Sequence, residues 1–332
     1  MKEAFFLIKT LNLSKILNFL KLNLSYFFYF NFNAKNIKGL PYSLSIETTN
    51  VCNLSCLQCP TGQNTLTRET GNINSETFKK IIKQNKKNLI SVILYFQGEP
   101  FIDNNIYNFI NFATQNNIYT ITSTNGHFLS YENCNKIIES KLNKLIISLD
   151  GTSQTEYEKY RKGGDFNKVV EGVKNIVTAK KQKKSNLPVV ELQFLVFKHN
   201  QHQINDFKNL AKQLNVDKFK LKTAQIYDFE KNNDLIPTIA KYSRYIIDEN
   251  GNFKIKSKLK NRCYRMWTSS VVTCNGDVVP CCFDKDARYK LGNINNEAFN
   301  SIWKNNNYTN FRKQIKTNRK SIDICRNCTE GM

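Results

Sequence analysis

The strongest constraint on the fold is an alternation of short apolar segments and helical patterns between residues 43 and 222. Six segments are rich in β-branched and aromatic residues over a few positions, as strands are. They are residues 43–48, 91–96, 119–124, 144–149, 189–196 and 218–222. The five segments between them that repeat apolar residues at helical spacing are residues 75–84, 106–116, 133–140, 166–179 and 204–214.

This alternation predicts an α/β fold with a parallel sheet, because parallel neighbours need a crossover helix between them. Right-handed crossovers wrap such a sheet into an open or closed barrel. The six units occupy about 180 residues, whereas an eight-unit barrel usually needs about 250. We therefore predict a partial (β/α)6 TIM-like barrel, with its chemistry at the carboxyl ends of the strands.

Three cysteines follow the first predicted strand at the spacing C-x3-C-x2-C, namely Cys52, Cys56 and Cys59. Three thiolates on a short loop suit a cubane iron–sulfur cluster whose fourth iron stays open to bind a small molecule. A structural zinc site is the alternative, and it would need a fourth ligand such as Cys134. The ten cysteines are clustered, and no small-residue cleavage site marks secretion. This pattern favours metal binding over a disulfide framework.

The chain resembles the radical S-adenosylmethionine (SAM) enzymes over residues 43–225, beginning with this cysteine loop. The segment Gln97-Gly98-Glu99-Pro100 follows the second strand, where the family has Gly-Gly-Glu-Pro. Gln97 departs from the first glycine of that motif, and the Gly-Glu-Pro that follows is intact. In the family this segment holds the methionine amino group, so the resemblance implies a charge-assisted hydrogen bond between Gly98, Glu99 or Pro100 and that ammonium.

Three further segments are similar to family segments that line the cofactor. They lie at residues 122–126, 148–151 and 160–164. The resemblance implies that Thr124 and Asn125 line the bound SAM, and that Ser148 and Arg161 contact its carboxylate and ribose. Arginine suits this role because its guanidinium binds a carboxylate bidentately. Each segment alone is typical of a turn, and the interpretation depends on their order at successive strand ends.

A second cysteine group lies further along the chain. It consists of Cys263, Cys281, Cys325 and Cys328. The spacing of Gly276 to Cys281 and the final C-x2-C pair resemble the SPASM/twitch auxiliary-cluster domain in its one-cluster form. The resemblance implies four thiolate ligands to a second 4Fe–4S cluster, and a zinc ribbon is the alternative. Cys282 is the alternative ligand to Cys281, since neighbours in a strand point to opposite faces. We expect Cys134 and Cys274 to be packed thiols, with a role in proton transfer as the alternative.

The resemblance also implies a reaction. The reduced first cluster cleaves SAM to a 5′-deoxyadenosyl radical, which abstracts hydrogen from a substrate, while the protein supplies binding and orientation. A reducing electron donor such as flavodoxin or ferredoxin would be a partner. We expect a two-electron oxidation of a small alcohol, amino-sugar or glycan-type metabolite, assisted by the auxiliary cluster. The alternatives are peptide or protein maturation and, in another class, a non-catalytic metal-binding or electron-carrier protein. The intact Gly98-Glu99-Pro100 argues against the last, and no catalytic side chain is identified.

Residues 1–40 interleave apolar and aromatic side chains with Lys9, Lys15 and Lys21. Such a helix lies on a membrane surface or, alternatively, packs across the main domain. We expect this helical extension at 1–40, the barrel at 41–225, a connector at 226–260 and the auxiliary-cluster domain at 261–332. With no run of 18 apolar residues, no conventional transmembrane helix is expected. The expected location is cytoplasmic, with peripheral contact at the inner membrane surface through residues 1–30 if the helix is interfacial.

The chain carries 49 Lys and Arg residues against 27 acidic residues, a formal net charge of +22. Such a balance favours anionic partners. No compact basic tract stands out, however, and Lys and Asn are abundant along the whole chain. We therefore do not expect nucleic-acid binding.

Overall fold

The computed structural model describes residues 2–34, 37–230 and 234–329. The described helices are α1 (Lys2–Lys9), α2 (Leu13–Phe32), α3 (Ser75–Asn85), α4 (Ile106–Gln115), α5 (Tyr131–Glu139), α6 (Gln154–Tyr160), α7 (Phe166–Gln182), α8 (Ile204–Gln213), α9 (Tyr264–Thr268), α10 (Phe299–Lys304), α11 (Asn306–Asn318) and α12 (Asp323–Arg326). The described strands are β1 (Ser43–Ile46), β2 (Ser91–Ile93), β3 (Tyr119–Thr124), β4 (Lys144–Ser148), β5 (Val189–Val196), β6 (Lys218–Thr223), β7 (Tyr245–Ile247), β8 (Phe253–Ile255), β9 (Ser269–Val272), β10 (Asp277–Val279) and β11 (Gly292–Asn293).

The predicted strand–helix alternation is confirmed. Strands β3 and β5 have the predicted bounds, and the five predicted helices correspond to α3, α4, α5, α7 and α8. Strand β2 ends at Ile93, three residues before the predicted end. Between this strand end and the turn at Gly98, where φ is +75°, Leu94 N still donates to Ile121 O at 2.7 Å.

The described residues form two compact units. The first unit contains the ranges 1–51, 66–121 and 259–332. Its strands follow the order β11–β10–β9–β1–β2–β3. Strand β1 is parallel to both β2 and β9, and β10 runs antiparallel to β9 and β11. Leu44 and Ile46 of β1 are fully buried, as expected for a strand with a neighbour on each side.

The second unit contains the ranges 52–65 and 122–258. Its parallel strands follow the order β4–β5–β6, and α5 packs against α7. A separate antiparallel pair, β7 and β8, lies in the predicted connector. One apolar cluster of this unit joins Leu54 and Cys56 of the cysteine loop to Tyr160 and Phe197. The loop is therefore anchored in a packed core.

Helix α2 begins at a cap in which Asn12 accepts a hydrogen bond from the Lys15 backbone, and it ends at Asn33 in the left-handed conformation. One face packs within the first unit, where Trp267 contacts the rings of Tyr26, Tyr29 and Phe30. Between residues 2 and 34 the chain therefore forms two helices, α1 and α2. Within the described residues, no helix is long and apolar enough to cross a membrane.

Candidate functional site

The three-cysteine loop lies in the second unit, directly after the first strand in sequence. Cys56 is buried, whereas Cys52 and Cys59 are partly exposed. Backbone hydrogen bonds hold the loop to the end of α6, from Ser55 N to Lys162 O at 3.0 Å and from Leu57 N to Tyr160 O at 3.1 Å. The loop thus presents three thiols on a fixed backbone, and soft thiolate donors suit iron.

Arg161 connects this loop to the end of β4. Its Nε donates to Asp150 Oδ2 at 2.6 Å, and its Nη1 approaches Cys56 Sγ at 3.9 Å. Burial raises the pKa of the Cys56 thiol, and the guanidinium partly offsets this effect. Burial by itself would lower the pKa of Arg161, but the charges of Asp150 and Cys56 outweigh it and raise that pKa. The arrangement holds a permanent cation beside a thiol of the loop.

Asp150 was not among the expected site residues. Its other oxygen, Oδ1, accepts a hydrogen bond from the Leu195 backbone at 2.6 Å, and the side chain is fully buried. Asp150 therefore fixes Arg161 relative to β5. The position of Asp150 at the end of the fourth strand, close in sequence to Ser148, was a signal that could have identified it.

The other expected cofactor-lining residues of the second unit lie at strand ends and are buried. Asn125 donates to Asn53 Oδ1 at 2.7 Å, and its Nδ2 lies 4.0 Å from Cys52 Sγ. Thr124 Oγ1 accepts a hydrogen bond from the Gly126 backbone at 3.0 Å. Ser148 is the last residue of β4 and is 7% exposed. Thus Asn125 and Arg161 both approach thiols of the loop.

The Gly-Glu-Pro turn lies in the first unit, after β2. Gly98 has a positive φ, and a Cβ atom at this position would lie 2.6 Å from Thr49 O and 2.7 Å from Val51 O. Glu99 N donates to Val51 O at 2.8 Å, and the Glu99 carboxylate accepts from Phe101 N at 3.2 Å. Glycine is therefore required both by the backbone conformation and by the close approach of another segment.

A buried ion pair supports this turn. Glu47 follows β1 and forms two hydrogen bonds of 2.5 Å with the guanidinium of Arg68. The same carboxylate accepts from the backbones of Gln97 at 3.2 Å and Cys274 at 3.0 Å. Burial opposes the charge on Arg68, but its hydrogen bonds to Glu47 prevail and raise its pKa. Sequence reasoning missed this pair, since no local pattern joins residues 47 and 68.

The second cysteine group lies in the first unit. Burial raises the pKa of Cys281 well above its usual range, and nearby Cys282, Cys263 and Cys325 raise it further. The pKa of Cys325 rises to about 12, again chiefly by burial, with Cys263 and Cys328 as neighbours that also raise it. Electrostatic neighbours therefore link Cys281 with Cys263 and Cys325, and Cys325 with Cys263 and Cys328.

A buried arginine accompanies this group. Arg319 Nη2 donates to Cys328 Sγ at 3.5 Å, and its Nη1 donates to Arg262 O at 2.9 Å. Burial tends to lower the pKa of Arg319, but the nearby thiols outweigh burial and raise it. A cation among thiols fits an anionic iron–thiolate cluster. No sequence pattern pointed to Arg319.

Cys282 has different surroundings from Cys281. It packs against an apolar cluster that contains Val271, Val279 and Ala287, and Arg265 Nη1 lies 3.4 Å from its sulfur. The neighbours of Cys281 include, besides Cys282, two other expected ligands, Cys263 and Cys325.

Cys134 and Cys274 are both buried. Burial alone raises the pKa of Cys134 to about 12, and its sulfur contacts Leu129 O at 3.7 Å. Burial is also the main cause that raises the pKa of Cys274 to about 12, beside Glu47 and Arg68. Within the described ranges, no three His, Cys, Asp or Glu side chains are already arranged around a common ion position. The fit to iron therefore rests on the chemistry and neighbourhood of the thiols.

Two families match the chain. Residues 46–210 match the radical SAM superfamily, and residues 263–329 match SPASM, an iron–sulfur cluster-binding domain.

Among curated proteins, the chain is similar to the S-adenosyl-L-methionine-dependent 2-deoxy-scyllo-inosamine dehydrogenase of Niallia circulans. The two are 23% identical over 291 residues, which cover 86% of this chain and 91% of that protein. The chain is also similar to mycofactocin maturase MftC of Mycobacterium ulcerans, at 23% identity over 288 residues, which cover 80% and 75% of the two chains.

Among solved structures, SuiB of Streptococcus suis bound to S-adenosylmethionine matches with a TM-score of 0.63. The sequence identity is 16%, and the match covers 90% of this chain and 74% of that one. At this identity the likeness concerns the fold alone.

Proposed function

The chain belongs to the radical SAM superfamily and carries a SPASM domain, and from this premise we propose which of its residues hold the cofactors of such an enzyme. We assign Cys52, Cys56 and Cys59 to the 4Fe–4S cluster that binds SAM. The approach of Arg161 to Cys56 supports this assignment, because a nearby cation favours the thiolate form that binds iron.

The auxiliary 4Fe–4S cluster is assigned to the second cysteine group. Its ligands are Cys263, Cys281, Cys325 and Cys328. The mutual influence of these thiols and the hydrogen bond from Arg319 to Cys328 support the set. Cys281 is preferred to Cys282 because Cys263 and Cys325 are among its neighbours.

The SAM-binding residues are assigned from the turns at the strand ends. Gly98, Glu99 and Pro100 bind the amino group of SAM, and the buried pair of Glu47 and Arg68 holds their turn in place. Thr124, Asn125, Ser148 and Arg161 bind the remainder of SAM. Arg161 also contacts Asp150. Because this carboxylate fixes the guanidinium, the Arg161 side chain is already positioned when the cofactor arrives.

For the substrate, we infer a small alcohol that carries further hydroxyl or amino groups, which the enzyme oxidises to a ketone. When bound, SAM and its cluster would supply abstraction of a hydrogen atom from the carbinol carbon, and the auxiliary cluster would take up one further electron from the substrate. Release of the hydroxyl proton to solvent completes the loss of two electrons and two protons. The observation that carries this inference is the match to the aminocyclitol dehydrogenase over 91% of its length.

Peptide maturation is the second candidate, and the match to the maturase MftC over 80% of this chain favours it. The two candidate reactions differ in the chemical change made to the substrate and in the size of the substrate. A dehydrogenase converts a carbinol into a carbonyl on a small molecule, whereas a maturase changes a residue within a peptide.

The test is anaerobic turnover of the iron-reconstituted protein with SAM and dithionite. A panel of aminocyclitols and polyols, each deuterated at the carbinol carbon, is compared with a panel of short peptides. We expect deuterium in the 5′-deoxyadenosine and one ketone per 5′-deoxyadenosine formed. Turnover of peptides alone would replace the dehydrogenase proposal with the maturase. Absence of SAM cleavage with either panel, in protein that holds about eight irons, would contradict the assigned SAM site.

A further inference from the structure

The outward face of α1 and α2 is apolar. On α2, five side chains follow one another at spacings of four and three residues, as one side of a helix requires. These are Leu13, Leu17, Leu20, Leu24 and Phe27, which are 72%, 44%, 49%, 57% and 50% exposed. We call these five residues the apolar stripe. Of the seventeen large apolar side chains that are exposed in the described part of the chain, eleven lie on these two helices.

The inward face of α2 is more polar than the stripe. Lys15, Asn18 and Ser25 are buried on that face. Lys15 Nζ donates to Thr10 O at 2.9 Å and also to Asn117 O. Asn18 exchanges hydrogen bonds with the Leu40 backbone at 2.8 and 2.9 Å. Leu22 is also buried on that face. These hydrogen bonds fix the orientation of the helix, and this orientation leaves the apolar stripe exposed.

The charge around the apolar stripe distinguishes between two kinds of partner for this face, a second copy of the chain and a lipid surface. No acidic residue occurs between Glu3 and Glu47 in the sequence. Lys9, Lys21 and Lys38 are exposed in this part of the chain. A second copy of the same face would bring like charges together without acidic partners, which disfavours an isologous contact. An anionic lipid surface supplies the complementary charge, and each lysine near such a surface contributes to binding.

We propose that α1 and α2 attach the enzyme to the surface of an anionic membrane, with the apolar stripe inserted among the lipid headgroups and acyl chains. A helix of 20 residues is about 30 Å long, which gives an extended contact when it lies in the membrane plane. Insertion of leucine and phenylalanine side chains into this boundary is favourable. Large exposed apolar patches of this kind mark interaction sites.

The experiment is flotation of the full, iron-reconstituted chain with vesicles of phosphatidylcholine and phosphatidylglycerol at 3:1, and with phosphatidylcholine alone. The test variant carries Leu17→Ser, Leu20→Ser and Leu24→Ser. The matched control carries Phe219→Ser, Ile246→Ser and Ile247→Ser, which also removes three exposed apolar side chains, at 40%, 42% and 63% exposure. We expect the test variant to bind anionic vesicles about a hundredfold more weakly and the control to bind like the parent.

A charge variant keeps the proposal testable if the leucine variant does not fold. Lys21→Gln should weaken binding to anionic vesicles about fivefold and leave binding to neutral vesicles unchanged. Failure of the parent protein to float with anionic vesicles would overturn the proposal. So would a parent that sediments as a dimer and dissociates in the leucine variant while vesicles have no effect. Because binding is measured without SAM, the result is independent of the proposed reaction.

Discussion

Replacement of Gly98 by alanine tests whether the Gly-Glu-Pro turn depends on close backbone contact. An alanine at positive φ costs about 1–2 kcal/mol. At Gly98 the added Cβ would also lie 2.6 Å from Thr49 O and 2.7 Å from Val51 O, and a backbone cannot move aside as a flexible side chain can. Separation of the two segments would break the hydrogen bonds from Glu99 N to Val51 O and from Gln97 N to Glu47.

The cost can be worked out from these contacts. A buried polar group that loses its partner costs about 1–3 kcal/mol. With two such groups and the strained φ, we expect Gly98→Ala to lower the free energy of unfolding by about 3–8 kcal/mol. At about 2 °C per kcal/mol for a chain of this size, the apparent melting temperature should fall by about 6–16 °C.

Gly251 provides the matched control. Its φ is +81°, close to that of Gly98, but among the described residues no atom apart from those of its two chain neighbours lies within 4 Å of an added Cβ. Gly251→Ala should therefore lower the melting temperature by only about 2–4 °C. The assay is differential scanning fluorimetry of both variants under anaerobic conditions, together with SAM affinity by equilibrium dialysis. Equal losses of stability in the two variants would refute the argument from crowding. SAM affinity unchanged in Gly98→Ala would refute the assigned role of the turn.

Three further outcomes follow from the thiol environments. Cys281→Ala should lose about four of eight irons while Cys282→Ala retains all of them, as measured by iron and sulfide content; the reverse result would exchange the two assignments. Arg319→Gln should make the reduction potential of the auxiliary cluster more negative by about 50 mV, because a cation favours the reduced cluster. A redox titration followed by electron paramagnetic resonance measures this potential, and an unchanged value would contradict the prediction. Cys134, with a pKa of about 12, stays protonated at pH 8, so iodoacetamide should modify it about a thousandfold more slowly than an exposed cysteine, and this protection should be lost as the pH rises toward 12.

The fold of residues 43–222 was predictable because its signals are local. Periodicity within each segment marked the strands and helices, and parallel pairing followed from their alternation. Helix α11 was missed because Asn306–Asn318 is mostly polar. Its buried Tyr308, Phe311 and Ile315 recur at spacings of three and four, so a weak helical signal was present.

The candidate site was only partly predictable. Motifs identified the thiols and the turns, since each lies within a few residues of sequence. The partners that hold them were missed, because Asp150 with Arg161, Glu47 with Arg68, and Arg319 with Cys328 meet only after folding. Which partner a side chain meets depends on tertiary packing, and the periodicity of the sequence does not specify that packing.

The parallel pairing of β1 with β9 has a consequence for folding during synthesis. Ser43 pairs with Ser269, so more than two hundred residues must be translated between the two halves of this ladder. At a translation rate of about 5–20 residues per second, β1 remains on the ribosome for roughly 10–45 s without the hydrogen bonds that its β9 edge forms in the folded protein. During that interval the unpaired backbone edge of the strand that carries Leu44 and Ile46 is open to incorrect pairing. We therefore expect expression at lower temperature, or with added chaperones, to increase the yield of folded enzyme.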